Sequence, residues 1–211
     1  MVTETRTKDF FTVIQERQSV RSYHPDVKIP RDELKEMIQL ASEAPSSWNL
    51  QHWKFLVFDE SEAKQALLPI AYGQQQIVDA SAVIAILGDV EADKNAEEVF
   101  SAAVEAGHAP QSVKESMVDQ IKTAYETIPN IGRDEAIRNA SLGAMQFMLV
   151  AKAYDYDTCP IGGFDRNELV KQFNIPERFI PIMLITIGKR KADAHETMRF
   201  SGDEITVWNT F

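Results

Sequence analysis

The sequence has a single cysteine, Cys159, so no disulfide can form within the chain, and a lone thiol fits a reducing compartment. Long apolar runs are also absent. The longest nearly apolar stretch, Leu142 to Ala151, is about half of the roughly 20 residues that a membrane span requires. The first residues, Met1 to Asp9, are polar and lack the apolar core of a signal peptide. We therefore expect a cytoplasmic protein that does not enter a membrane.

Motifs that carry a complete chemistry by themselves are missing as well. No strand is followed by G-x-x-x-x-G-K-[ST] or G-x-G-x-x-G, and there is no G-x-S-x-G nucleophile elbow. The histidines are scattered, without acidic or cysteine partners at the intervals that metal sites use; they are His24, His52, His108 and His195. The sequence therefore predicts no metal site and indicates no catalytic nucleophile or acid–base pair.

Charge sets a further limit. With 22 basic and 32 acidic residues the net charge is −10, which argues against general attraction to nucleic acid or to anionic membranes. Any anion that the protein binds must be held by cations placed next to it. The 211 residues, 44% apolar and 26% charged, are ordinary for a globular protein, and we expect residues 1–211 to form a single domain.

Hydrophobic patterning predicts an α+β fold in which helices surround a small sheet. Three apolar runs have strand length: Trp53–Phe58, expected to be buried on both faces or nearly so, Ala82–Leu87, and Ile180–Ile187 with Pro181 near its start. Helical spacing predicts a short helix that ends near Gln18, a second that begins at Pro30 and is stopped by Pro45, helices around 96–104 and 117–125, and one from about Asp134 to Tyr154.

Two apolar segments require contacts of their own. From Leu142 to Ala151 the predicted helix is apolar nearly all round, so other elements must enclose it, in the core or at a subunit interface. The tail from Ser201 to Phe211 carries four large apolar side chains after the last core strand, namely Ile205, Val207, Trp208 and Phe211. That surface should dock on its own core or on a partner subunit.

The first candidate site is the segment Arg17-Gln18-Ser19-Val20-Arg21, where the first helix gives way to a loop. Guanidinium groups hold a phosphate through a planar fork of donors, and a serine adds another hydrogen bond. A basic helix end that only complements the helix dipole is the alternative.

The second candidate is the loop Ala44-Pro45-Ser46-Ser47-Trp48-Asn49-Leu50-Gln51-His52-Trp53. Its amides and hydroxyls offer paired donors and acceptors that match a heteroaromatic ring or a polyol, although the same residues also form ordinary turns. Two weaker candidates are Pro160-Ile161-Gly162-Gly163, whose glycines allow a flat ligand to approach the backbone, and Arg199, a third cation for a phosphate. A simple turn and a solvated side chain are the alternatives.

In this order, these segments resemble the FMN-dependent nitroreductase family over nearly the whole chain. The family pattern of a basic-Ser-x-basic segment is similar to Arg17–Arg21, and Ala-Pro-Ser-x-x-Asn-x-Gln-Pro-Trp is similar to Ala44–Trp53. Gly73-Gln74-Gln75-Gln76 with Ala80-Ser81-Ala82 resembles the segment that leads into the second core strand. Thr158–Asp165 resembles the flavin-facing turn, and Arg199 a basic residue near the family's C-terminus.

The resemblance implies a role for each matched residue. Arg17, Ser19 and Arg21 would hold the FMN phosphate and ribityl chain, with Gln18 along the same stretch and Arg199 assisting at the phosphate. Pro45, Ser46, Ser47 and Asn49 would reach the flavin from the other subunit, and Gln76 would lie beside the pyrimidine edge of the ring. Ile161, Gly162 and Gly163 would present backbone to the ring and its N5, and Asn139 would approach the cofactor.

The resemblance also implies an intertwined homodimer with a small mixed or antiparallel sheet and two flavins at the interface, in which the arm at about 201–211 docks on the partner. The implied reaction is a ping-pong transfer of hydride from NADH or NADPH through flavin N5 to nitroaromatics, quinones or enones. The rival readings are a specialised flavoenzyme of the same fold, an FMN storage or sensor protein without turnover, and an acidic interaction module without a cofactor.

Three positions depart from the family pattern. His52 replaces a proline, and Gly162 and Thr197 stand where some relatives carry glutamate and lysine. The departures bear on the hydrogen bonding around the ring and on the choice of nicotinamide.

Overall fold

A computed structural model describes residues 8–211 of the chain. The prediction that Met1 to Asp9 lack a signal peptide falls mostly on residues 1–7, which lie outside the described residues. The elements are helices α1 (Phe10–Glu16) and α2 (Arg31–Ala41), a 3-10 turn (Ser47–Asn49), strand β1 (Trp53–Phe58), α3 (Ser61–Ile70), α4 (Gln76–Asp79), β2 (Ala82–Asp89), a second 3-10 turn (Ala92–Asn95), α5 (Ala96–Glu105), α6 (Gln111–Thr127), α7 (Ile131–Ala153), β3 (Asp157–Ile161), α8 (Arg166–Gln172), β4 (Phe179–Gly188) and α9 (Gly202–Ile205).

The strands form one antiparallel sheet in the order β1-β2-β4-β3. Strand β2 is buried at every position and lies at the centre, as its unbroken apolar run predicts. The expectation that Trp53–Phe58 is buried on both faces, or nearly so, was wrong, because β1 is an edge strand in which Lys54 is exposed and the next three residues are half-buried. Strand β3 was missed altogether, since its five residues include Asp157 and Pro160 and show no apolar run.

Pro181 lies near the start of β4, as predicted, and its position coincides with an irregularity in the ladder. The register between β2 and β4 shifts between Ile86, which pairs with Met183, and Leu87, which pairs with Pro181. A proline cannot donate to the ladder, and a bulge accommodates that loss by leaving one residue out of the pairing.

Two hydrophobic cores cover the two faces of the sheet, because successive side chains of a strand point to opposite sides. On one face Ile84 and Ile86 pack with α2 and α7, and on the other Val83 and Ala85 pack with α3, α4 and α8. Helix α7 comes close to the sheet because Gly143 has no side chain; a Cβ there would lie 3.3 Å from the Trp53 ring.

Local caps define several helix ends. Asp9 accepts hydrogen bonds from the backbone N–H groups of Phe11 and Thr12 at the start of α1, and Ser201 and Glu204 form a capping box on α9. Pro30 was expected inside α2 but precedes it as the N-cap. None of the helices in the described part of the chain combines the length and the apolar character needed to cross a bilayer.

Candidate functional site

The segment Arg17–Arg21 is fixed against strand β3. Ser19 forms a parallel bridge with Thr158, and the Val20 N–H donates to the Thr158 carbonyl over 3.1 Å. Val20 is fully buried, and the Tyr23 hydroxyl donates to its carbonyl over 2.7 Å. Because side chains alternate along an extended segment, Arg17, Ser19 and Arg21 fall on one side, which assembles the cationic strip that the sequence predicted.

Gln18 falls on the other side of this segment. It lines a separate polar cavity of about 560 Å³ together with Glu16, Lys152, Asp157 and Arg190. Within that cavity the carboxylate of Asp157 accepts hydrogen bonds from Lys152 and from both ends of the Arg190 fork. The structure therefore separates the Gln18 side chain from Arg17 and Ser19, and its part in binding a cofactor stays a prediction.

Gln76 begins helix α4 and is 6% exposed. Its Nε2 donates to Gln74 Oε1 over 3.2 Å, whereas its Oε1 has no hydrogen-bond partner in the part of the chain that the structure describes. A buried amide oxygen without a donor costs about 1–3 kcal/mol. This oxygen is suited to accept a hydrogen bond from a ligand that supplies an N–H or O–H group.

The turn at Gly162 and Gly163, called the glycine turn, is linked to Gln76 through Gln74. Gln74 Nε2 donates to the Gly163 carbonyl over 2.9 Å, which links the turn to the residue that holds Gln76. Neither Gly162 nor Gly163 has a positive φ, so the backbone does not require glycine there. A Cβ on either would meet nothing within 4 Å, so the turn presents open backbone that a flat ligand can approach.

Cys159 and Thr158 lie between the Arg17–Arg21 segment and Gln76, and sequence analysis did not single them out as binding residues. Burial raises the pKa of the Cys159 thiol, while the charge of Arg21 and hydrogen bonds from Gln76 and Ser19 act in the opposite direction. The Thr158 hydroxyl is buried without a hydrogen-bond partner among the described residues. A protonated thiol is a poor nucleophile, so Cys159 packs the site and is not set up to react.

The Pro45–Asn49 loop is held by helix α7. Ser47 donates its N–H to Asn139 Oδ1 over 2.9 Å and its hydroxyl to Glu135 Oε2 over 2.6 Å. Asn139, 1% exposed, donates in turn to the carbonyl and to the side chain of Glu135. Asn139 therefore lies beside the Pro45–Asn49 loop, and its approach to a cofactor stays a prediction.

The backbone of this loop is strained. Trp48, Asn49 and Gln51 have φ values of 52°, 56° and 52°, in the left-handed region that a bulky tryptophan rarely adopts. Such residues cost about 1–3 kcal/mol each and persist only where their surroundings hold them. Here Trp48 packs against the hydrophobic cluster that contains Leu50 and Ile121, and the buried His52 bonds through Nε2 to the Tyr125 hydroxyl over 3.0 Å.

Sequence reasoning missed Glu135, although a signal was present. Glu135 precedes Asn139 by one helical turn, so the two side chains share a face of the helix. Burial alone would raise the pKa of the Glu135 carboxyl, but hydrogen bonds from Ser47, Asn139 and Arg138 outweigh it and hold the pKa below its ordinary value.

The structure divides the predicted site residues into two groups. One group is the Arg17–Arg21 segment with Gln76 and the turn at Gly162 and Gly163, and the other is the Pro45–Asn49 loop with Asn139. Thr158 pairs with Ile187 of β4, which in turn pairs with Ala82 at the start of β2. Trp53, which follows the loop, pairs with Gly88 near the other end of β2. Six residues of strand separate the two ends by about 20 Å. The groups also lie on opposite faces, since the loop borders α7 and the glycine turn borders α4 and α8. One chain therefore does not bring them together.

Arg199 and the tail join neither group. Arg199 donates to the Met198 carbonyl, and no hydrogen bond or ion pair connects it with Arg17–Arg21 among residues 8–211. Trp208 and Phe211 are 81% and 107% exposed. The alternative in which the tail packs on its own core was therefore wrong.

Comparisons with known proteins agree on one family. The model of the nitroreductase family matches residues 14–189. A Bacillus subtilis protein named as an NAD(P)H nitroreductase, YodC, is 47% identical over 196 residues, which are 93% of this chain and 96% of that protein. The "CLA biosynthesis enone reductase" of Lactiplantibacillus plantarum is 34% identical over 198 residues, 91% of this chain and 90% of the enzyme.

A solved structure resembles the whole fold. The crystal structure of a protein named as a nitroreductase from Exiguobacterium sibiricum, in complex with FMN, superimposes with a TM-score of 0.91 at 37% identity. The match covers 98% of this chain and 100% of that one.

Proposed function

Because this chain belongs to the nitroreductase family, we propose that it is an oxidoreductase that binds FMN and uses NAD(P)H to reduce small electron-poor acceptors. The observation that carries the proposal is a surface on which the cationic strip of Arg17, Ser19 and Arg21 and the buried Gln76 Oε1, which has no hydrogen-bond partner among the described residues, lie around the same Cys159. A phosphate at one end and a heteroaromatic ring at the other are the ligand groups that this surface suits.

The residues of this surface fit FMN group by group. Arg17, Ser19 and Arg21 would hold the phosphate, against the unfavourable field of a chain whose net charge is −10. Gln76 Oε1 would accept from the N–H group of the pyrimidine ring. The open backbone at Gly162 and Gly163 would lie along the ring.

When bound, FMN would supply the redox chemistry for hydride transfer from NAD(P)H to an acceptor in two half-reactions, and Arg17, Ser19, Arg21 and Gln76 would hold it. The chain itself would bind, orient and shield the cofactor. It needs no nucleophile or acid–base pair for this purpose, and the raised pKa of Cys159 keeps the one nearby thiol protonated. The enone reductase among the relatives supports enones as one acceptor class, beside nitroaromatics and quinones.

We infer a homodimer as the form that completes the site. The two groups of site residues lie at opposite ends and on opposite faces of the sheet, so the Pro45–Asn49 loop would reach the FMN of a second copy. Leu142 and Met145 on the outer face of α7 are 43% and 41% exposed, and the tail is more exposed still. These apolar surfaces are the ones that a second subunit would cover.

The proposed function is tested by the absorption spectrum of the purified protein before and after anaerobic addition of NADH or NADPH. We expect an oxidised-flavin spectrum that one nucleotide bleaches, followed by recovery when a quinone is added. Binding of FMN without bleaching would leave a storage or sensor protein, and failure to bind FMN would refute the proposal.

The dimer is tested separately by Met145→Asp, with Val113→Asp on α6 as the control, because both side chains are 41% exposed. We expect Met145→Asp to run as a monomer in light scattering and to lose FMN, while the control keeps both properties. A monomeric wild-type protein that binds FMN fully would overturn the inferred dimer.

A further inference from the structure

We propose that Glu135 is a positioning residue for the flavin site, which it serves by holding the hydroxyl and the backbone of Ser47 from within helix α7. The inference rests on the proposed function, because the loop that Ser47 belongs to is the part expected to reach the FMN of the partner subunit.

The contacts of Glu135 give it one orientation. Its Oε2 accepts from the Ser47 hydroxyl over 2.6 Å and from Asn139 Nδ2 over 2.8 Å, and its Oε1 accepts from Arg138. The residue is 8% exposed, so the carboxylate depends on these three donors in place of water. A carboxylate fixed in this way has little freedom to release Ser47.

Glu135 also controls the second contact to the loop. Asn139 donates both hydrogens of its amide, one to the Glu135 carbonyl and one to the Glu135 side chain. That arrangement turns Asn139 Oδ1 toward the loop, where it accepts from the Ser47 N–H over 2.9 Å. Loss of the carboxylate would therefore loosen both hydrogen bonds to Ser47.

The loop needs this restraint because its backbone is strained. Trp48 and Asn49, the two residues after Ser47, both lie in the left-handed region. On the other side, Asn95 donates to the Leu50 carbonyl over 2.9 Å, so Leu50 is fixed independently of α7. Release of Ser47 would let the residues between these two anchors relax, and those residues include Asn49, whose side chain is exposed and expected to meet the flavin.

The test compares Glu135→Leu, which removes the carboxylate, with the near-isosteric Glu135→Gln, which keeps an oxygen for the Ser47 hydroxyl. Glu126→Gln is the matched control, since it removes the same charge from an exposed position on α6. Three quantities are measured for each variant: the Kd for FMN, the midpoint potential of the bound flavin, and amide hydrogen exchange of residues 44–52 in the cofactor-free protein.

Loss of a hydrogen bond to a charged group changes an equilibrium constant by about tenfold or more. We expect Glu135→Leu to raise the Kd for FMN by at least that factor, to shift the potential and to speed exchange in the loop. Glu135→Gln should rescue part of each effect, and Glu126→Gln should match the wild type. In a Ser47→Ala background, Glu135→Leu should raise the Kd by a smaller factor than in the wild type, because the hydroxyl contact is already absent and only the Asn139 contact to the backbone N–H of residue 47 is left to loosen.

Two results would overturn the inference. One is wild-type values of Kd, potential and loop exchange in both Glu135 variants; if Glu135→Leu does not fold, Glu135→Gln alone decides this. The other is full additivity with Ser47→Ala, which would show that Glu135 does not act through the Ser47 hydroxyl. A wild-type protein that binds no FMN would refute the proposed function instead, while loop exchange would still report whether Glu135 holds Ser47.

Discussion

The buried ion pair between Lys152 and Asp157 allows a quantitative test of how the cationic strip is anchored. Their side chains are 3% and 6% exposed, and Lys152 Nζ donates to Asp157 Oδ1 over 3.0 Å. Arg190 binds the same carboxylate through Nε and Nη2. Asp157 directly precedes Thr158, which pairs with Ser19, so the ion pair lies beneath the predicted phosphate site.

Asp157→Asn keeps the shape of this side chain and removes its charge, leaving the Lys152 ammonium buried. Among the described residues, the other carboxylate within ion-pair distance of Lys152 Nζ is that of Glu16, at 3.8 Å, whose side chain is 46% exposed. Breaking a buried pair by removing one partner costs about 3–5 kcal/mol, and the remaining attraction to Glu16 favours the lower end of that range. For a chain of this size a loss of about 3 kcal/mol lowers Tm by roughly 6–12 °C.

The assay is thermal unfolding followed by circular dichroism, at one protein concentration because the stability of an oligomer depends on it. Asp155→Asn is the control: its partner Lys189 lies at 2.8 Å, but the Asp155 side chain is 70% exposed, and such surface pairs contribute less than about 1 kcal/mol. Lys152→Met with Asp157→Leu should recover most of the loss, because the buried Lys152 charge is removed together with its partner. Arg190 also loses Asp157, but its side chain is 35% exposed and it keeps Asp193 at 3.5 Å. Equal Tm values for Asp157→Asn and the control would refute the reasoning, as would a double variant no more stable than Asp157→Asn.

Three further outcomes follow from single side chains. Burial holds the pKa of the His52 imidazole below its ordinary value, against the opposing charges of Glu135 and Asp89, so the unfolded chain takes up a proton before the folded one. Stability should therefore fall as the pH drops below about 6.5, and Tm measured against pH should fall less steeply in His52→Gln; parallel curves would contradict this. Because burial raises the pKa of Cys159, iodoacetamide should label the native protein at neutral pH at least about tenfold more slowly than the denatured protein, and equal rates would count against the buried thiol. Lys64 donates to the carbonyls of Val78 and Ala80 at the end of α4, so Lys64→Met should cost about 2 kcal/mol and raise the Kd for FMN by displacing Gln76; unchanged stability and affinity would show that α4 does not depend on Lys64.

The sequence predicted the elements whose pattern depends only on neighbouring residues. The apolar run of β2 needed no partner to be recognised, because a strand buried on both faces must be apolar throughout. The Arg17–Arg21 segment was picked out as a candidate because two guanidiniums and a hydroxyl lie within five residues, and its role in binding a phosphate stays a prediction. Strand β3 escaped detection because its burial comes from pairing with β4 and from the helices around it, and no local periodicity expresses that.

Tertiary structure alone decided which of these residues meet. Gln76 and Gly163 are far apart in the chain and come together through Gln74, and Glu135 became a candidate only when the fold placed Ser47 against α7. The separation of the site residues into two groups depends on strand register and on which face of the sheet each helix covers, and these are set by long-range packing. The sequence by itself determined which functional groups are available for binding, since residue types and their local spacing set which groups can bind a phosphate or a ring. The fold decided the geometry, because distances between segments far apart in sequence arise only when the cores on both faces of the sheet are packed.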